Sequence, residues 1–294
     1  MTTIERPGGL QLRPGDRMAI VAGSGRLPVD LAESLVAHGQ KPFVVMVQGE
    51  AGAELAAFDH AELPLESFPT LGTLLKRQGV THAVFAGGIA RRPRLSAVKP
   101  SLALLRFLPR ALAGLGKGDD GVLRALAGGL ESLGVKVVGA HEIAPDLLAS
   151  EGPIARTSPQ KSDWRDIEAA AAAARAIGAL DIGQAAVAIG GRAIALEGIE
   201  GTDGLLERVK ALRGHGRIAG KTRGVLVKCA KPGQELRMDL PTIGPATVTA
   251  AHAAGLAGIA VEAERSLVLD LAGVIEAADR LGLFVIGLPR ERRL

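Results

Sequence analysis

Residues 17–39 read RMAIVAGSGRLPVDLAESLVAHG. The apolar run at 17–22 predicts a buried strand, and the glycines that follow it predict a tight turn. Residues 28–38 predict a helix, because their apolar side chains recur at helical spacing and Gly39 ends the pattern. A strand, a glycine turn and a helix in this order are typical of the opening unit of a Rossmann-like domain.

The rest of the first half repeats this alternation, and the second half departs from it. Strand-like and helix-like segments alternate in the first half, with further strands predicted at 42–47, 82–86 and 135–138. In the second half, two short apolar runs joined by Gly190-Gly191-Arg192 predict an antiparallel hairpin. The predicted fold is α/β, with an N-terminal Rossmann-like parallel-sheet domain and a C-terminal mixed α/β domain.

Chain length and local composition predict the domain boundaries. A chain of 294 residues favours two domains of ordinary size. We expect a disordered leader, a Rossmann-like domain, a linker rich in proline and polar residues, and a C-terminal α/β catalytic domain, at residues 1–16, 17–149, 150–162 and 163–294.

The bulk composition also excludes several classes of protein. Aromatic residues make up only 2% of the chain, which argues against stacking on single-stranded nucleic acid, and a net charge of +4 is small for a duplex binder. The single cysteine, Cys229, cannot form an internal disulfide and suits a reducing compartment. The sequence shows neither a transmembrane stretch nor a secretory signal, so we expect a cytoplasmic protein.

Two glycine turns are candidate nucleotide contacts. Gly23 and Gly25 lie between a predicted strand and helix, where backbone amides can hold a phosphate or a polar ribose. Gly88 lies in a similar turn after a later strand and could line the same crevice. Pro28 stands where a dinucleotide fingerprint has glycine, so a turn that merely reverses the chain is an equal alternative.

Three acids follow a predicted strand and lead into a helix. Glu197, Glu200 and Asp203 are separated by glycines, and such carboxylates are oxygen ligands for hard cations such as Mg²⁺. The alternative is that Thr202 or Asp203 caps the helix.

Residues 228–244 read KCAKPGQELRMDLPTIG. Lys228, Lys231 and Arg237 could neutralise phosphate oxygens, and Asp239 could bind a metal or position a water molecule. Together with the acidic loop, this segment predicts metal-assisted hydrolysis of a phosphoanhydride. A solvated strand end with ordinary charges is the alternative, and it explains Asp239 and its neighbours poorly.

Residues 91–117 mix basic and leucine side chains. Such a mixture can settle on an anionic membrane surface. An irregular insertion whose leucines pack onto the domain is the alternative, and the sequence favours it slightly.

Seven motifs in this order resemble those of the bacterial UDP-2,3-diacylglucosamine pyrophosphatases of lipid A biosynthesis, in the form unrelated to calcineurin-like enzymes. They are GSGRLP (23–28), FAGG (85–88), KGDDG (117–121), GAHE (139–142), EGIEGTD (197–203), KCAKPGQ (228–234) and RMDLPTIG (237–244). The last two are the specific ones, and the resemblance covers residues 18–288.

The resemblance implies a magnesium-dependent UDP-sugar diphosphatase that converts UDP-2,3-diacylglucosamine to UMP and 2,3-diacylglucosamine 1-phosphate (lipid X). It implies water attack on the β-phosphate, a homodimer, and a peripheral place at the inner membrane without nucleic-acid binding. On this basis the catalytic and metal residues would be Asp239, Glu200 and Asp203. The substrate-binding residues would be Lys228, Lys231, Gln234, Arg237, Thr242, Gly23, Gly25 and Gly88.

Two other functions stay open on the residues alone. A nicotinamide-dependent oxidoreductase would use the first glycine turn and Glu50, which lies near the end of the second predicted strand. A non-catalytic nucleotide- or lipid-binding protein would tolerate the loss of Asp239. The oxidoreductase leaves residues 228–244 without a role.

Overall fold

The computed structural model describes residues 10, 12–89, 118–214, 218, 223–232 and 234–289. The basic segment 91–117 lies outside the described residues, as does most of the predicted leader. Within the leader, Arg13 and Asp16 close a turn, in which the Arg13 amide donates to the Asp16 carboxylate at 2.8 Å. This part of the leader therefore has defined structure, where disorder was expected.

The chain divides into two compact units. Unit 1 comprises Met1–Pro145 and Glu235–Asp239, and unit 2 comprises Asp146–Gln234 and Leu240–Leu294. The five residues Glu235–Asp239 thus lie in unit 1, although the sequence-based boundary assigns them to the C-terminal domain.

Unit 1 is built on a five-stranded parallel sheet with strand order β3-β2-β1-β4-β5. Its strands are β1 (Met18–Ala22), β2 (Phe43–Val47), β3 (Asp59–Leu63), β4 (His82–Ala86) and β5 (Lys136–Val138). Its helices are α1 (Leu27–Ala37), α2 (Leu71–Arg77), α3 (Gly118–Glu131) and α4 (Ala140–Ile143). The strand order reverses between β1 and β4, which is where ligands bind in open sheets of this kind. The predicted Rossmann-like sheet is confirmed.

One strand of unit 1 was not predicted. Strand β3 reads DHAEL, and it has no apolar run because it is an edge strand whose side chains are largely exposed.

Unit 2 contains a six-stranded mixed sheet with strand order β6-β13-β11-β9-β7-β8. Its strands are β6 (Gly152–Pro153), β7 (Ala185–Ala188), β8 (Ala193–Leu196), β9 (Val225–Lys228), β11 (Gly258–Glu262) and β13 (Phe284–Leu288). A separate two-stranded sheet pairs β10 (Thr242–Ile243) with β12 (Leu267–Val268). The helices are α5 (Asp163–Ala179), α6 (Gly201–Leu212), α7 (Pro245–Ala253) and α8 (Leu271–Leu281).

The strand pairs of unit 2 confirm the predicted mixture of parallel and antiparallel strands. Strands β7 and β8 form the predicted antiparallel hairpin, whereas β9, β11 and β13 are parallel. The segment predicted as a linker contributes strand β6, which pairs with β13 at the edge of the sheet. In the part of the chain that the structure describes, no helix is long and apolar enough to cross a bilayer.

A buried carboxylate begins helix α5. Asp163 is 1% exposed and accepts from Nε and Nη2 of Arg223 at 2.9 and 2.5 Å, and from the Gln160 amide at 2.7 Å. Burial raises the pKa of Asp163, but the hydrogen bonds from Arg223 and Gln160 outweigh burial and leave the pKa below its usual value.

We therefore expect unit 2 to lose stability in acid through Asp163. A carboxylate whose pKa is lower in the folded state contributes stability above its unfolded pKa of about 4, and this contribution disappears as the pH falls through the folded pKa. Urea unfolding between about pH 5 and pH 2 should show a smaller fall in stability for Asp163→Asn than for wild type. Exposed Glu168 lies on the same helix, and Glu168→Gln should retain the wild-type pH dependence. Identical slopes for Asp163→Asn and wild type would contradict this role.

Candidate functional site

The two glycine turns of unit 1 are bonded to each other at the switch point of the sheet. The amide of Ser24 donates to the Gly88 carbonyl at 2.8 Å, and the amide of Gly88 donates to the Ser24 carbonyl at 3.0 Å. A Cβ atom on Gly23 would lie 2.2 Å from the Gly88 carbonyl oxygen. The structure thus brings Gly23 and Gly88 together. Close backbone approach accounts for Gly23, whereas a Cβ on Gly88 would meet the Ser24 hydroxyl at 3.1 Å.

Gly25 has a different reason to be glycine. Its φ of +93° lies in the region that side chains rarely adopt, and a Cβ there would meet nothing within 4 Å. The open space beside Gly25 is compatible with its predicted place beside a nucleotide. The Ser24 amide is already committed to Gly88, so it is not directed at a phosphate.

The acidic loop of unit 2 divides into one buried and two exposed acids. Glu197 is 6% exposed and accepts from the Gln184 amide at 2.7 Å and from the Thr202 hydroxyl at 2.6 Å. Its carboxylate therefore fastens the loop and the first turn of α6 to the start of the β7–β8 hairpin. The alternative that Thr202 or Asp203 caps helix α6 is wrong. Glu200 occupies the N-cap position, where its side chain makes no capping hydrogen bond, and the Thr202 hydroxyl donates to Glu197.

Glu200 and Asp203 are exposed. Glu200 forms an ion pair with Nη2 of Arg208 at 2.5 Å, while Asp203 lies in the first turn of α6. An acidic side chain in a first helical turn is stabilised by the helix dipole whether or not it binds a ligand.

The cationic loop of unit 2 begins at the end of β9. The buried Lys228 donates through Nζ to the Thr242 carbonyl at 2.8 Å, which ties the end of β9 to strand β10. The Thr242 hydroxyl donates to the Leu240 carbonyl at 2.9 Å. Lys231 forms an ion pair with Asp181 at 2.7 Å, and its amide donates to Oε1 of Gln234 at 2.8 Å.

A hydrogen-bond chain joins this loop to the acidic loop. Nε2 of Gln234 donates to Oε1 of Gln184 at 3.4 Å, and the backbone amide of Gln184 donates to the Glu197 carboxylate. The Cys229 amide donates to the Gln184 carbonyl at 2.9 Å. The two loops predicted to handle the diphosphate are therefore connected within unit 2. Gln184 makes the connection, and nothing in the sequence singles it out.

The other two predicted residues, Arg237 and Asp239, belong to unit 1. Arg237 donates from Nε and Nη2 to the two oxygens of Glu235 at 2.8 and 2.9 Å, and from Nη1 to Glu131 at 2.6 Å. The hydrogen bond with Glu235 is the largest cause that raises the pKa of Arg237, and the same bond lowers the pKa of Glu235. Asp239 is partly buried, and its amide donates to the Glu235 carbonyl at 3.1 Å.

The predicted metal ligands do not form a complete coordination site in the described part of the chain. Among the described residues, no three His, Cys, Asp or Glu side chains lie close enough together to hold a metal ion. Glu200 is paired with Arg208, and Asp239 and Asp203 belong to different units. Mg²⁺ is usually held by one or two carboxylates together with substrate phosphates, so the donor types here suit an ion that arrives with the substrate.

Cys229 and the Nδ1 atom of His141 are both shielded from solvent. Cys229 is a free, buried cysteine. Nδ1 of His141 is buried and has no hydrogen-bond partner among the described residues, and burial lowers the pKa of this imidazole.

Comparison with known proteins matches the chain across both units. Residues 17–147 match the LpxI N-terminal domain, and residues 150–286 match the LpxI C-terminal domain. The chain is 41% identical over 281 residues to the UDP-2,3-diacylglucosamine pyrophosphatase LpxI of Caulobacter vibrioides, which covers 94% of this chain and 99% of that protein. These matches confirm the resemblance that the motifs predict.

A crystal structure of a carbonyl reductase from Pseudomonas aeruginosa PAO1 also matches part of the chain. It is 20% identical, covers 38% of this chain and 55% of the reductase chain, and gives a TM-score of 0.22. A likeness of this size carries no functional argument.

The buried carboxylate of Glu197 should be sensitive to replacement by an amide. In Glu197→Gln, one of the two donors, the Gln184 amide or the Thr202 hydroxyl, would lose a charged acceptor and could face an NH₂ group. We expect a loss of about 1–3 kcal/mol in the free energy of unfolding, measured by urea denaturation. Glu207→Gln, at an exposed position of helix α6, should change it by less than about 0.5 kcal/mol. Equal stability of the two variants would argue against the fastening role.

Replacement of Gly23 by alanine should disrupt the contact between the two turns. The new Cβ would collide with the Gly88 carbonyl, which is backbone and cannot rotate away, so we expect a loss of roughly 1–3 kcal/mol in unfolding free energy. Gly128→Ala is the matched control, because this helical glycine has open space around it and should gain about 0.5–1 kcal/mol. Thermal unfolding of both variants measures the difference, and an unchanged Gly23→Ala melting temperature would refute the collision.

Proposed function

This chain belongs to the LpxI family, and from that membership we propose that it hydrolyses UDP-2,3-diacylglucosamine to UMP and 2,3-diacylglucosamine 1-phosphate (lipid X) in lipid A biosynthesis. The observation that carries the proposal is the 41% identity to a UDP-2,3-diacylglucosamine pyrophosphatase over 94% of the chain. The enzyme is accordingly a UDP-sugar diphosphatase.

The proposed reaction is attack of water on the β-phosphorus, the phosphorus bonded to the sugar oxygen. The bond from this phosphorus to the bridging oxygen breaks, and UMP leaves with that oxygen. The sugar 1-phosphate keeps the oxygen of the water molecule. We propose Asp239 as the carboxylate that orients this water and accepts its proton.

The cationic loop supports binding of the diphosphate. Lys231 is 16% exposed at its side chain and lies beside Asp181, so it can exchange this partner for a phosphate oxygen. Lys228, Gln234 and Thr242 hold the loop together through hydrogen bonds, and we propose that the same loop carries the diphosphate and the sugar. Gly23, Gly25 and Gly88 remain our predicted border of the nucleotide.

Magnesium is a further part of the proposal. A bound Mg²⁺ would polarise the phosphoryl oxygens and neutralise the charge that develops on them. Asp239 is the protein ligand we favour, with Glu200 and Asp203 as the other predicted contributors. Glu200 would have to exchange its ion pair with Arg208 for the metal.

We also propose a cytoplasmic, peripheral place at the inner membrane and a homodimeric assembly. The support for the membrane is the substrate, whose two acyl chains belong in a bilayer. The sequence support is the mixture of basic and leucine residues at 91–117. Vesicle binding that is unchanged when Arg91, Arg92 and Arg94 are neutralised would remove that segment from the proposal.

Turnover of the named substrate tests the proposal. Purified protein with Mg²⁺ and UDP-2,3-diacylglucosamine should release UMP, and a chelator should abolish the release. Asp239→Ala should lower the rate by roughly 10²–10⁴-fold, since it removes the proposed base. Asp30→Asn, at a surface ion pair with Arg26, should retain the wild-type rate.

The same assay separates the competing functions. Absence of UMP, or equal rates for wild type and Asp239→Ala, would overturn the hydrolase. An absorbance change with a nicotinamide cofactor would favour the oxidoreductase. Binding of the substrate without turnover would favour the non-catalytic protein.

A further inference from the structure

The segment Glu235–Asp239 is a short stretch from the second half of the sequence that folds as part of unit 1. Its backbone forms a tight turn, in which the amides of Met238 and Asp239 both donate to the Glu235 carbonyl, at 2.9 and 3.1 Å. The Met238 side chain packs against the apolar core of unit 1. The turn is therefore a hydrogen-bonded element that packs on the core of unit 1, and it ends at Asp239.

Arg237 fastens this turn to two elements of unit 1. Beyond its pairing with Glu235, Nη1 donates to Glu131, the last residue of α3, at 2.6 Å and to the Val137 carbonyl in β5 at 3.3 Å. The turn passes close to the end of β5: a Cβ on Gly139 would lie 3.3 Å from Cα of Arg237, although the His141 ring would be nearer to it, at 2.4 Å. Two of the four hydrogen bonds of this guanidinium thus connect the turn to α3 and β5, and the other two stay within the turn.

The orientation of the guanidinium argues against a primary role in phosphate binding. The Nε–Nη2 edge, which would grip a phosphate with two parallel bonds, grips the two oxygens of Glu235. The second carboxylate, Glu131, accepts from the remaining nitrogen, Nη1, so every nitrogen of this guanidinium donates to a carboxylate of unit 1.

We propose that Arg237, Glu131 and Glu235 are positioning residues that hold Asp239 in its working orientation. The proposal rests on the hydrolase function and on Asp239 as its catalytic carboxylate. It deepens that function because it assigns the orientation of Asp239 to the cluster around Arg237, two residues earlier in the chain. Glu131 lies more than a hundred positions earlier in the sequence and belongs to none of the motifs considered for the site.

The test is a steady-state comparison of wild type, Glu131→Gln, Arg237→Lys and the double variant, with UDP-2,3-diacylglucosamine and release of UMP as the readout. Glu131→Gln removes one charged partner, while Arg237→Lys keeps the charge and loses the planar fork. Because a displacement of about 1 Å at a catalytic group can lower a rate about 100-fold, we expect kcat to fall about 10- to 100-fold in each single variant. KM should stay within about twofold of wild type, since the proposed cluster acts on Asp239 and not on the substrate.

The double variant and a control make the result specific. The double variant should lose little more than the worse single variant, because both substitutions break one network. Glu33→Gln breaks an exposed pair with Arg26 in the same unit and should leave kcat and KM at wild-type values. Circular dichroism at the assay temperature should show all variants folded, and Glu131, 40% exposed at its side chain, is a mild site for substitution.

Each alternative has its own outcome. A raised KM with unchanged kcat in Arg237→Lys, and no effect in Glu131→Gln, would overturn the proposal and make Arg237 a substrate-binding residue. Lower melting temperatures with wild-type kcat would overturn it in favour of a purely structural network. A wild-type protein that releases no UMP would overturn the hydrolase function and the positioning role together, whereas active wild type with fully active variants would overturn the positioning role alone.

Discussion

The buried carboxylate of Glu197 is the constraint on which the candidate site of unit 2 depends. A buried anion is tolerated only when donors replace the water it loses, and here the donors are a backbone amide and a hydroxyl from two different segments. The carboxylate therefore sets the path of the acidic loop and the start of α6. Through Gln184 the same constraint reaches Gln234 and the cationic loop. Two loops with opposite charge are thus linked within unit 2 through Gln184.

In unit 1, a cation connects segments that lie far apart in the sequence. Arg237 satisfies two carboxylates and a strand carbonyl, so a turn from the second half of the chain becomes part of the first unit. The proposed catalytic carboxylate ends that turn. Two cations of the same sequence segment thus have different surroundings: Lys231 lies partly exposed beside Asp181, whereas Arg237 is paired with Glu131 and Glu235 of its own unit.

The parts of the fold that sequence patterns predict are those with strong local signals. Strands β1, β2 and β4 are buried apolar runs, and the β7–β8 hairpin has a glycine-rich turn between two such runs. Strand β3 is polar because it lies at an edge, and β6 and β10 are two residues long, so none of the three carries a periodic pattern. The site divides in the same way. The motifs locate Asp239, Lys231 and Gln234, but they give no sign of Gln184 or Glu131, whose roles depend on partners far away in the sequence.

By itself, the sequence determined the α/β class, the family and the two loops rich in charge, because local periodicity and short motifs are enough to encode them. Only the tertiary structure decided which charges are committed to neighbouring side chains. It placed Glu197 and Arg237 in networks of hydrogen bonds, and it assigned the turn that ends at Asp239 to unit 1. The physical reason is that the state of a charge depends on burial and on partners within about 3 Å. Those partners can come from segments more than a hundred residues apart, as Arg237 and Glu131 do, and no local pattern can report them.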